Sequence, residues 1–400
     1  MKTVMKNLLL GSVAGLAMVG TAAAADLPVK AKAAEYVKVC STYGAGFYYI
    51  PGTDTCLKVG GYIKADFYVQ RVKFDYGTED YDHSDTESYF ATRAALQLDA
   101  RTQTEYGTLR SYIEARWTYS RAYDAPYSTG ISGNNVQLKY AYIQFAGFTF
   151  GKATSAFDFW AGDFYEGIDP GFFYSDYTPN QIAYTADFGN GFSATISLED
   201  AYERSGNYTD VYDNDIGQQV PDIVANLTYE GTWGAAKLAG ALHDLSQEPV
   251  GQDASDDFGW AVLAGVKFDF AETTTLYLKG VYSQGAIGYT GLGAAFSLYD
   301  VNAYGDSVDA WYVGGGIRHY WTPTVFTSFV GSYGQADDVY FSGDDYEAYS
   351  LAVNIGWQPV KGLTLVLQYD RIEEQLDYGF DIPDDKVTSD RFMFEAARKF

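Results

Sequence analysis

The segment Lys58-Val-Gly-Gly-Tyr-Ile-Lys-Ala-Asp-Phe-Tyr-Val-Gln70 sorts its side chains into two sets with a period of two. Lys58, Gly60, Tyr62, Lys64, Asp66, Tyr68 and Gln70 share one face, and Val59, Gly61, Ile63, Ala65, Phe67 and Val69 share the other. Successive side chains of a strand point to opposite sides, so this is a strand with one wet face and one apolar face. The next two segments repeat the pattern. In 89–102, Phe90, Thr92, Ala94, Leu96 and Leu98 oppose Ala91, Arg93, Ala95, Gln97, Asp99 and Arg101. In 107–119, Leu109, Ser111, Ile113, Ala115 and Trp117 oppose Arg110, Tyr112, Glu114, Arg116 and Thr118. The segment 135–146 is less regular, because Lys139 and Ile143 fall on one face, and its orientation stays open.

Working outward, sixteen such segments span 58–71, 89–102, 107–119, 135–146, 148–152, 179–187, 191–201, 221–231, 233–244, 257–269, 274–285, 308–320, 324–334, 345–357, 362–373 and 389–400. Their connections alternate between long and short. Tight turns fall at 188–190, at Thr232, at 321–323 and at 358–361, while long excursions run through 202–220, 286–307 and 374–388. A propeller or a sandwich has no reason to place every long connection on one side. An up-and-down barrel in an outer membrane does, with short turns toward the periplasm, long loops outside and an even number of strands. Hydrocarbon admits no open sheet edge, so such a sheet must close and turn apolar side chains outward. The expected fold is all-β: a 16-stranded antiparallel transmembrane up-and-down β-barrel, too wide for side chains to fill, and therefore an aqueous channel.

Composition fits. The 400 residues hold 27 Lys+Arg against 52 Asp+Glu, a formal charge of −25, with 17% aromatic residues and a mean hydropathy of −0.19. A barrel with half of each strand facing water accounts for a negative hydropathy in a membrane protein. The acidity argues against a nucleic-acid partner, because the field would repel phosphates. So much aromatic and aliphatic surface would collapse in water, which excludes intrinsic disorder.

Residues 1–25 have the parts of a secretory signal: Lys2 and Lys6, an apolar stretch over 8–19, and an Ala tract before Asp26. No later segment is apolar for long enough to form a transmembrane helix. Export suits the two cysteines. Cys40 and Cys56 flank a short Gly- and aromatic-rich loop, and an even count in an oxidising compartment favours a disulfide over two buried thiols. The expected organisation is a signal peptide over 1–25, a periplasmic segment over 26–57, and a barrel over 58–400.

The chain ends on Phe392, Phe394, Ala396 and Phe400 along one face, with Arg398 interrupting it. This end resembles the C-terminal signal read by barrel-assembly machinery. Together with the signal peptide, the segment from Val39-Cys40 through Gly44-Ala-Gly-Phe and Ile50-Pro-Gly-Thr-Asp-Thr-Cys56-Leu-Lys-Val-Gly-Gly-Tyr62, and the sixteen strands, it resembles the alphaproteobacterial (rhizobial-type) outer-membrane porin family across essentially the whole mature chain. That resemblance implies a homotrimer of sixteen-stranded barrels passing small hydrophilic solutes, with a third loop folded into each pore.

The third long connection, 153–178, is the candidate constriction. It carries Asp158, Asp163, Glu166, Asp169 and Asp176 without Lys or Arg, along with Phe157, Phe159, Trp160, Phe164, Phe172 and Phe173. The aromatics are expected to pack on the wall while the carboxylates face the lumen. Opposite them, strand parity turns Lys58, Lys64, Arg93, Arg101, Arg110 and Arg116 inward, with Lys64, Arg93, Arg110 and Arg116 the candidate basic wall. Acid and base across a narrow section would make a transverse field that orders water and disfavours apolar solutes. The first loop, with Asp75, Glu79, Asp80, Asp82, Asp85 and Glu87, begins an acidic outer rim. Such a rim favours cations, lies among outer-membrane lipid, and can share divalent ions with lipopolysaccharide.

Signals for catalysis are missing. His83, His243 and His319 are far apart, and no HExxH, P-loop, GxSxG or complete GxGxxG occurs, so no enzyme, metal or cofactor is expected. The expected function is a general diffusion channel for small hydrophilic solutes and ions. A channel selective for a class such as sugars is the alternative, supported by inward-facing Tyr62, Tyr68 and Tyr112.

Overall fold

The computed structural model describes residues 38–76, 83–121, 132–159, 175–201, 204, 220–245, 258–293, 295–379 and 384–400. Residues 39–400 form one compact unit, distinct from a unit of residues 1–38. The strands are β1 (Tyr48–Tyr49), β2 (Cys56–Tyr76), β3 (His83–Thr104), β4 (Gly107–Arg121), β5 (Ser132–Phe145), β6 (Phe148–Lys152), β7 (Asn180–Gly189), β8 (Phe192–Glu199) and β9 (Asp222–Gly231). They continue as β10 (Gly234–Asp244), β11 (Phe258–Phe270), β12 (Thr274–Gln284), β13 (Asp309–Thr322), β14 (Val325–Asp337), β15 (Asp345–Val360), β16 (Leu363–Asp377) and β17 (Asp385–Lys399).

From β2 to β17 each strand runs antiparallel to the next, and β17 returns to β2 in register from Asp385↔Tyr76 to Lys399↔Tyr62. The ring of sixteen closes, and no sheet edge is left along this seam. Phe400 extends the closure past the last strand. Its N–H donates to the Gly61 carbonyl at 3.0 Å, and its own carbonyl accepts from Gly61 N at 3.2 Å. Arg398, out of place on an apolar face, lies at the periplasmic end, where Nη1 donates to the Lys361 carbonyl at 3.1 Å and holds the turn before β16. The tight turns follow from hairpin geometry. Between Phe145 and Phe148 only Ala146 (φ 50°) and Gly147 (φ 86°) intervene, the positive-φ pair that a twisted two-residue hairpin requires.

The period-two pattern sets the two faces as expected. Val59, Ile63, Ile113, Trp117, Ile182, Leu238, Phe329, Val353 and Phe392 are large, apolar and exposed, forming the outward band. Two details depart from the sequence reading. The first hairpin is taller, with β2 and β3 paired as far as Phe74↔His83, because polar residues continue a ladder wherever a neighbouring strand satisfies their backbone. The irregular segment 135–146 contains a β-bulge: Glu114 pairs with Tyr140 and Ala115 with Leu138, so Lys139 is the extra residue. The bulge resets the parity. Val136 and Leu138 before it and Ile143 after it all face outward, while Tyr140, Tyr142 and Gln144 face inward.

The apolar core lies on the inner wall. One cluster joins Phe157 and Phe159 to Val224, Ala239, Ala241, Ala261, Leu263 and Val281. A second joins Ile287 and Leu298 to Val72, Ala310, Ala348, Ile372 and Val387. The excursion 286–307, expected to face outside, therefore folds back over the inner ends of β13–β17 and β2. Its backbone is held there: Gly293 N donates to Tyr346 Oη at 3.2 Å, and Ala295 N to Glu374 Oε2 at 3.0 Å. The cause is visible in the strands, whose inward positions near this end are apolar and would otherwise face water.

Candidate functional site

The third long connection leaves β6 at Lys152, and its described first limb, 153–159, runs along the inside of the wall. Three of its carbonyls are taken up by side chains of three strands. Asn226 Nδ2 on β9 donates to the Ala156 carbonyl at 2.6 Å, Lys237 Nζ on β10 to that of Asp158 at 2.7 Å, and Lys279 Nζ on β12 to that of Phe159 at 3.4 Å. Glu199, the last residue of β8, holds the start of the limb. Its carboxylate accepts Ser155 Oγ at 2.6 Å and Ala156 N at 2.7 Å. Phe157 is fully buried, edge-on to Tyr289 at 4.7 Å between ring centroids. Phe159 lies against Gly265, where any Cβ would come within 2.4 Å of its ring. A glycine on the inner wall thus makes the seat for an aromatic of the loop.

Asp158 departs from the sequence reading. Its carboxylate does not face the lumen but is buried, with only 4% of the residue exposed. Oδ2 accepts Tyr177 N at 2.7 Å, and Oδ1 accepts both the Ser175 hydroxyl and Arg204 Nη2, the latter at 3.1 Å. Arg204 is equally buried, its guanidinium 4.0 Å from the Tyr289 ring centroid and 4.6 Å from that of Tyr177. Burial would drive its proton off, but Asp158, Tyr289 and Glu199 hold its pKa above the ordinary guanidinium value. Desolvation pushes the Tyr289 phenol well up, so it keeps its proton and donates a hydrogen bond to Asp222. This aspartate also accepts from His243 Nδ1 at 2.9 Å. A carboxylate in this interior is tolerated only when charged and polar partners surround it, and Asp158 has three. Asp163, Glu166 and Asp169 lie outside the described residues. Asp176 is described, 3.9 Å from Lys139 Nζ at the bulge of β5.

The candidate basic residues of β2–β4 stand beside acids of the same strands, and Lys139 at the bulge of β5 extends the row. Arg101 and Arg110 both clasp Asp99, at 2.7 and 3.0 Å. Arg116 Nε donates to Glu114 Oε1 at 2.6 Å, and Gln97 Nε2 to Glu114 Oε2 at 2.8 Å. Lys64 stands directly opposite Arg93 in the register and is relieved by Glu395 at 3.0 Å, while Arg93 Nε donates to Thr118 Oγ1 at 3.0 Å. Base still exceeds acid along β2–β5, because Lys58, Lys64, Arg93, Arg101, Arg110, Arg116 and Lys139 share these inner faces with Asp66, Glu87, Asp99 and Glu114. The strip is a lattice of alternating charge with a positive balance, rigid because each guanidinium is held on the wall.

At the periplasmic end the two cysteines form a disulfide, with Cα atoms 6.0 Å apart. The enclosed hairpin sets Phe47 under Arg101, whose guanidinium lies 5.0 Å from the ring centroid. The hairpin is thereby docked at the inner mouth beside the start of the basic strip.

A closed sixteen-stranded barrel with inward polar strips and loops turned over its inner wall is a channel architecture, and comparisons with known proteins agree. Residues 26–390 match the family described as the porin subfamily. The chain belongs to that family. It is 32% identical to porin Omp2b of Brucella canis over 367 residues, and equally so to porin Omp2b of Brucella abortus, covering 90% of this chain and 90% of each relative. Among solved structures it is similar to the outer-membrane channel DcaP of Acinetobacter baumannii, with a TM-score of 0.65 at 18% identity over 88% of this chain and 99% of that one. It is also similar to the anion-selective porin of Comamonas acidovorans, with a TM-score of 0.56 at 11% identity over 86% of this chain and all of the other. As a porin, the chain forms a water-filled channel in the bacterial outer membrane for passive passage of small hydrophilic solutes and ions.

Several residues of this porin that hold the limb 153–159 escape sequence reasoning: Asn226, Glu199, Arg204, Lys237 and Lys279. One signal was available. In the middle of β10 and β11 both faces are apolar, with Ala239, Ala241, Ala261 and Leu263 turned inward between Lys237 and His243 on one strand and ahead of Lys267 on the other. A strand lining water should be polar on that side, so a doubly apolar strand marks wall that something covers.

Proposed function

We propose that solutes cross this porin between the basic strip on β2–β5 and the acids Asp163, Glu166 and Asp169 of the third long connection. The observation that carries this reading is the seating of 153–159 on β8–β12, across the ring from Arg93, Arg110 and Arg116. In this arrangement the gap is a slot with base on one side and acid on the other, and water there is oriented across the path. Lys64 and Arg93 belong to the same strip. Selection is by size and polarity. The acidic outer loops add a modest preference for cations, which weakens as salt shortens the Debye length. Reversal potentials in planar bilayers test the reading. Neutralising Asp163, Glu166 and Asp169 together should reduce cation preference at low salt, and an unchanged potential would refute the filter.

The functional unit is a homotrimer. β6 has only five residues, so at about 3.3 Å per residue and a tilt of ~45° it rises roughly 12 Å, well short of the ~25 Å apolar band. Among the described residues, β5 is paired on its β6 side only over Ala141–Phe145, leaving 132–140 bonded to β4 alone. Lipid cannot satisfy that edge. Val136 and Leu138 face outward beside it, 70% and 49% exposed. A neighbouring copy covering this low wall meets both needs. A Val136→Arg variant should lose trimers on native gels, and intact trimers would exclude this face. The remaining assignments, a cleaved signal over 1–25, a periplasmic segment over 26–57 and contact of the outer loops with lipopolysaccharide, follow from the export signal and the acidic rim. Membership of a channel family supports a role without catalysis.

A further inference from the structure

Beneath the seated limb 153–159, toward the periplasmic turns, the inner wall holds a recess of about 620 Å³. One side is aromatic. Tyr112 and Tyr142 stack at 5.3 Å and 28°, and Tyr140 closes the group at 6.1 and 6.4 Å from them. The β5 bulge at Lys139 creates this group, since it is the parity reset that brings Tyr140 and Tyr142 onto the lumenal face beside Tyr112. The facing side is a row of hydroxyls and amides, among them Thr185 and Thr195, whose oxygens lie 2.9 Å apart, with Gln181 and Thr228.

We propose that this recess is a subsite for a neutral, ring-shaped polyhydroxylated solute, of the class of pyranose sugars. The proposal rests on the channel reading above and adds a saturable step to it. Its volume lies within the range of small-molecule sites, about 300–1,000 Å³. A pyranose has an apolar C–H face that suits a rigid tyrosine platform and a hydroxyl rim that suits threonine, glutamine and asparagine. Charge points the same way, because the two basic groups that line the recess, Arg110 and Lys237, are matched by two acids, Glu230 and the buried Asp158. The one guanidinium at the platform, Arg110, is stacked over Tyr112 and Tyr142 at 5.1 and 5.5 Å and is already engaged. Its Nε and Nη2 donate to Asp99 and its Nη1 to Gln144, so its strongest donors are turned away from an incoming anion. Arg110 therefore stiffens the aromatic platform and does not act as an anion hook. Lys237 at the far side is likewise engaged, with the Asp158 carbonyl.

The test uses the refolded full-length mature protein in planar bilayers, with ion current in potassium chloride as the readout. Glucose and maltose are the probes, mannitol is a linear polyol of similar size without a ring face, and succinate is an anionic control. The expected result is a saturable fall in current with maltose and glucose and a merely viscous, linear effect with mannitol and succinate. Tyr142→Ala should weaken the apparent affinity by about fivefold or more, in line with the loss of one aromatic contact, while Tyr142→Phe keeps most of it. Thr195→Val, on the opposite wall, should weaken it as well without touching the platform. Equal linear effects of all four solutes, saturation by succinate alone, or a Tyr142→Ala channel that binds maltose as the parent does would each overturn the subsite. Those results leave the channel reading intact as long as ion current is present. Loss of ion current in the parent protein would instead strike the channel reading itself.

Discussion

Replacing Arg204 with Ala should unfasten the constriction while leaving the barrel standing. Arg204 and Asp158 form an ion pair with side chains about 1% exposed. Removing one partner of such a pair strands the other charge in a poorly solvated place, at a cost of about 3–5 kcal/mol. Asp158 would keep Tyr177 N and the Ser175 hydroxyl, so the low end, about 3 kcal/mol, is the relevant figure. At 1.4 kcal/mol per factor of ten, this shifts the ratio of seated to unseated loop by about two orders of magnitude. The stacking of the guanidinium on Tyr289 and Tyr177 is lost too. Among the described residues no strand bonds to Arg204, so the thermal midpoint of the barrel should move little. Single-channel recordings in planar bilayers should show a higher mean conductance with frequent substates. Asp158→Asn combined with Arg204→Met removes both charges of the pair and should return the channel toward quiet behaviour, giving a favourable coupling in the double-mutant cycle. Arg204→Lys should be intermediate, because an ammonium keeps the charge but not the planar stacking. An Arg204→Ala channel with the parent's conductance and noise would mean that the pair does not hold the loop.

Three further outcomes are expected. Gly265→Val places a side chain where Phe159 sits, so conductance should rise as the limb is displaced; unchanged current would show that Phe159 does not occupy that seat. Replacing Cys40 and Cys56 with Ser frees a loop with a sequence separation of 16, which in the chain-entropy account costs about 3 kcal/mol. The loss should appear as easier denaturant unfolding in detergent, with single-channel conductance retained. Arg110→Ala leaves Asp99 to Arg101 alone and removes a fixed positive charge from the lumen, so the reversal potential should shift toward cations; a shift toward anions would contradict the lattice described for this wall.

The sequence carries the barrel because a sheet in hydrocarbon is a one-dimensional problem. Alternation along 58–70, 89–102 and 107–119 states which side of each strand is wet, and closure follows from the need to bond every edge. The inward basic residues were therefore legible by parity alone, including Lys64, Arg93, Arg110 and Arg116. Their partners were present in the same lists, since Asp99 and Glu114 share those faces. Which acid holds which base depends on cross-strand register, and Asp99 between Arg101 and Arg110 appears only once β3 and β4 are aligned. Even the irregular segment at Lys139 held its meaning, for a break in parity is how a bulge looks before its partner strand is known.

The fate of the long connections was legible only in part. The packing of Phe157 and Phe159 on the wall was expected from the aromatics of 153–178, but the burial of Asp158 was not, and the excursion 286–307, rich in Gly and Ala, reads as an outer loop yet is folded inward. What decides this is the wall that receives them: Gly265, Ala239, Ala261 and Leu263 for one, Val72, Ala348, Ile372 and Val387 for the other. Those residues come from strands distant in sequence and meet only when the ring closes. Sequence by itself determined a closed channel with its polar face inward, because strand periodicity is local. Tertiary structure alone decided which part of the wall receives each inward segment, because that depends on contacts between a loop and strands that only closure brings together.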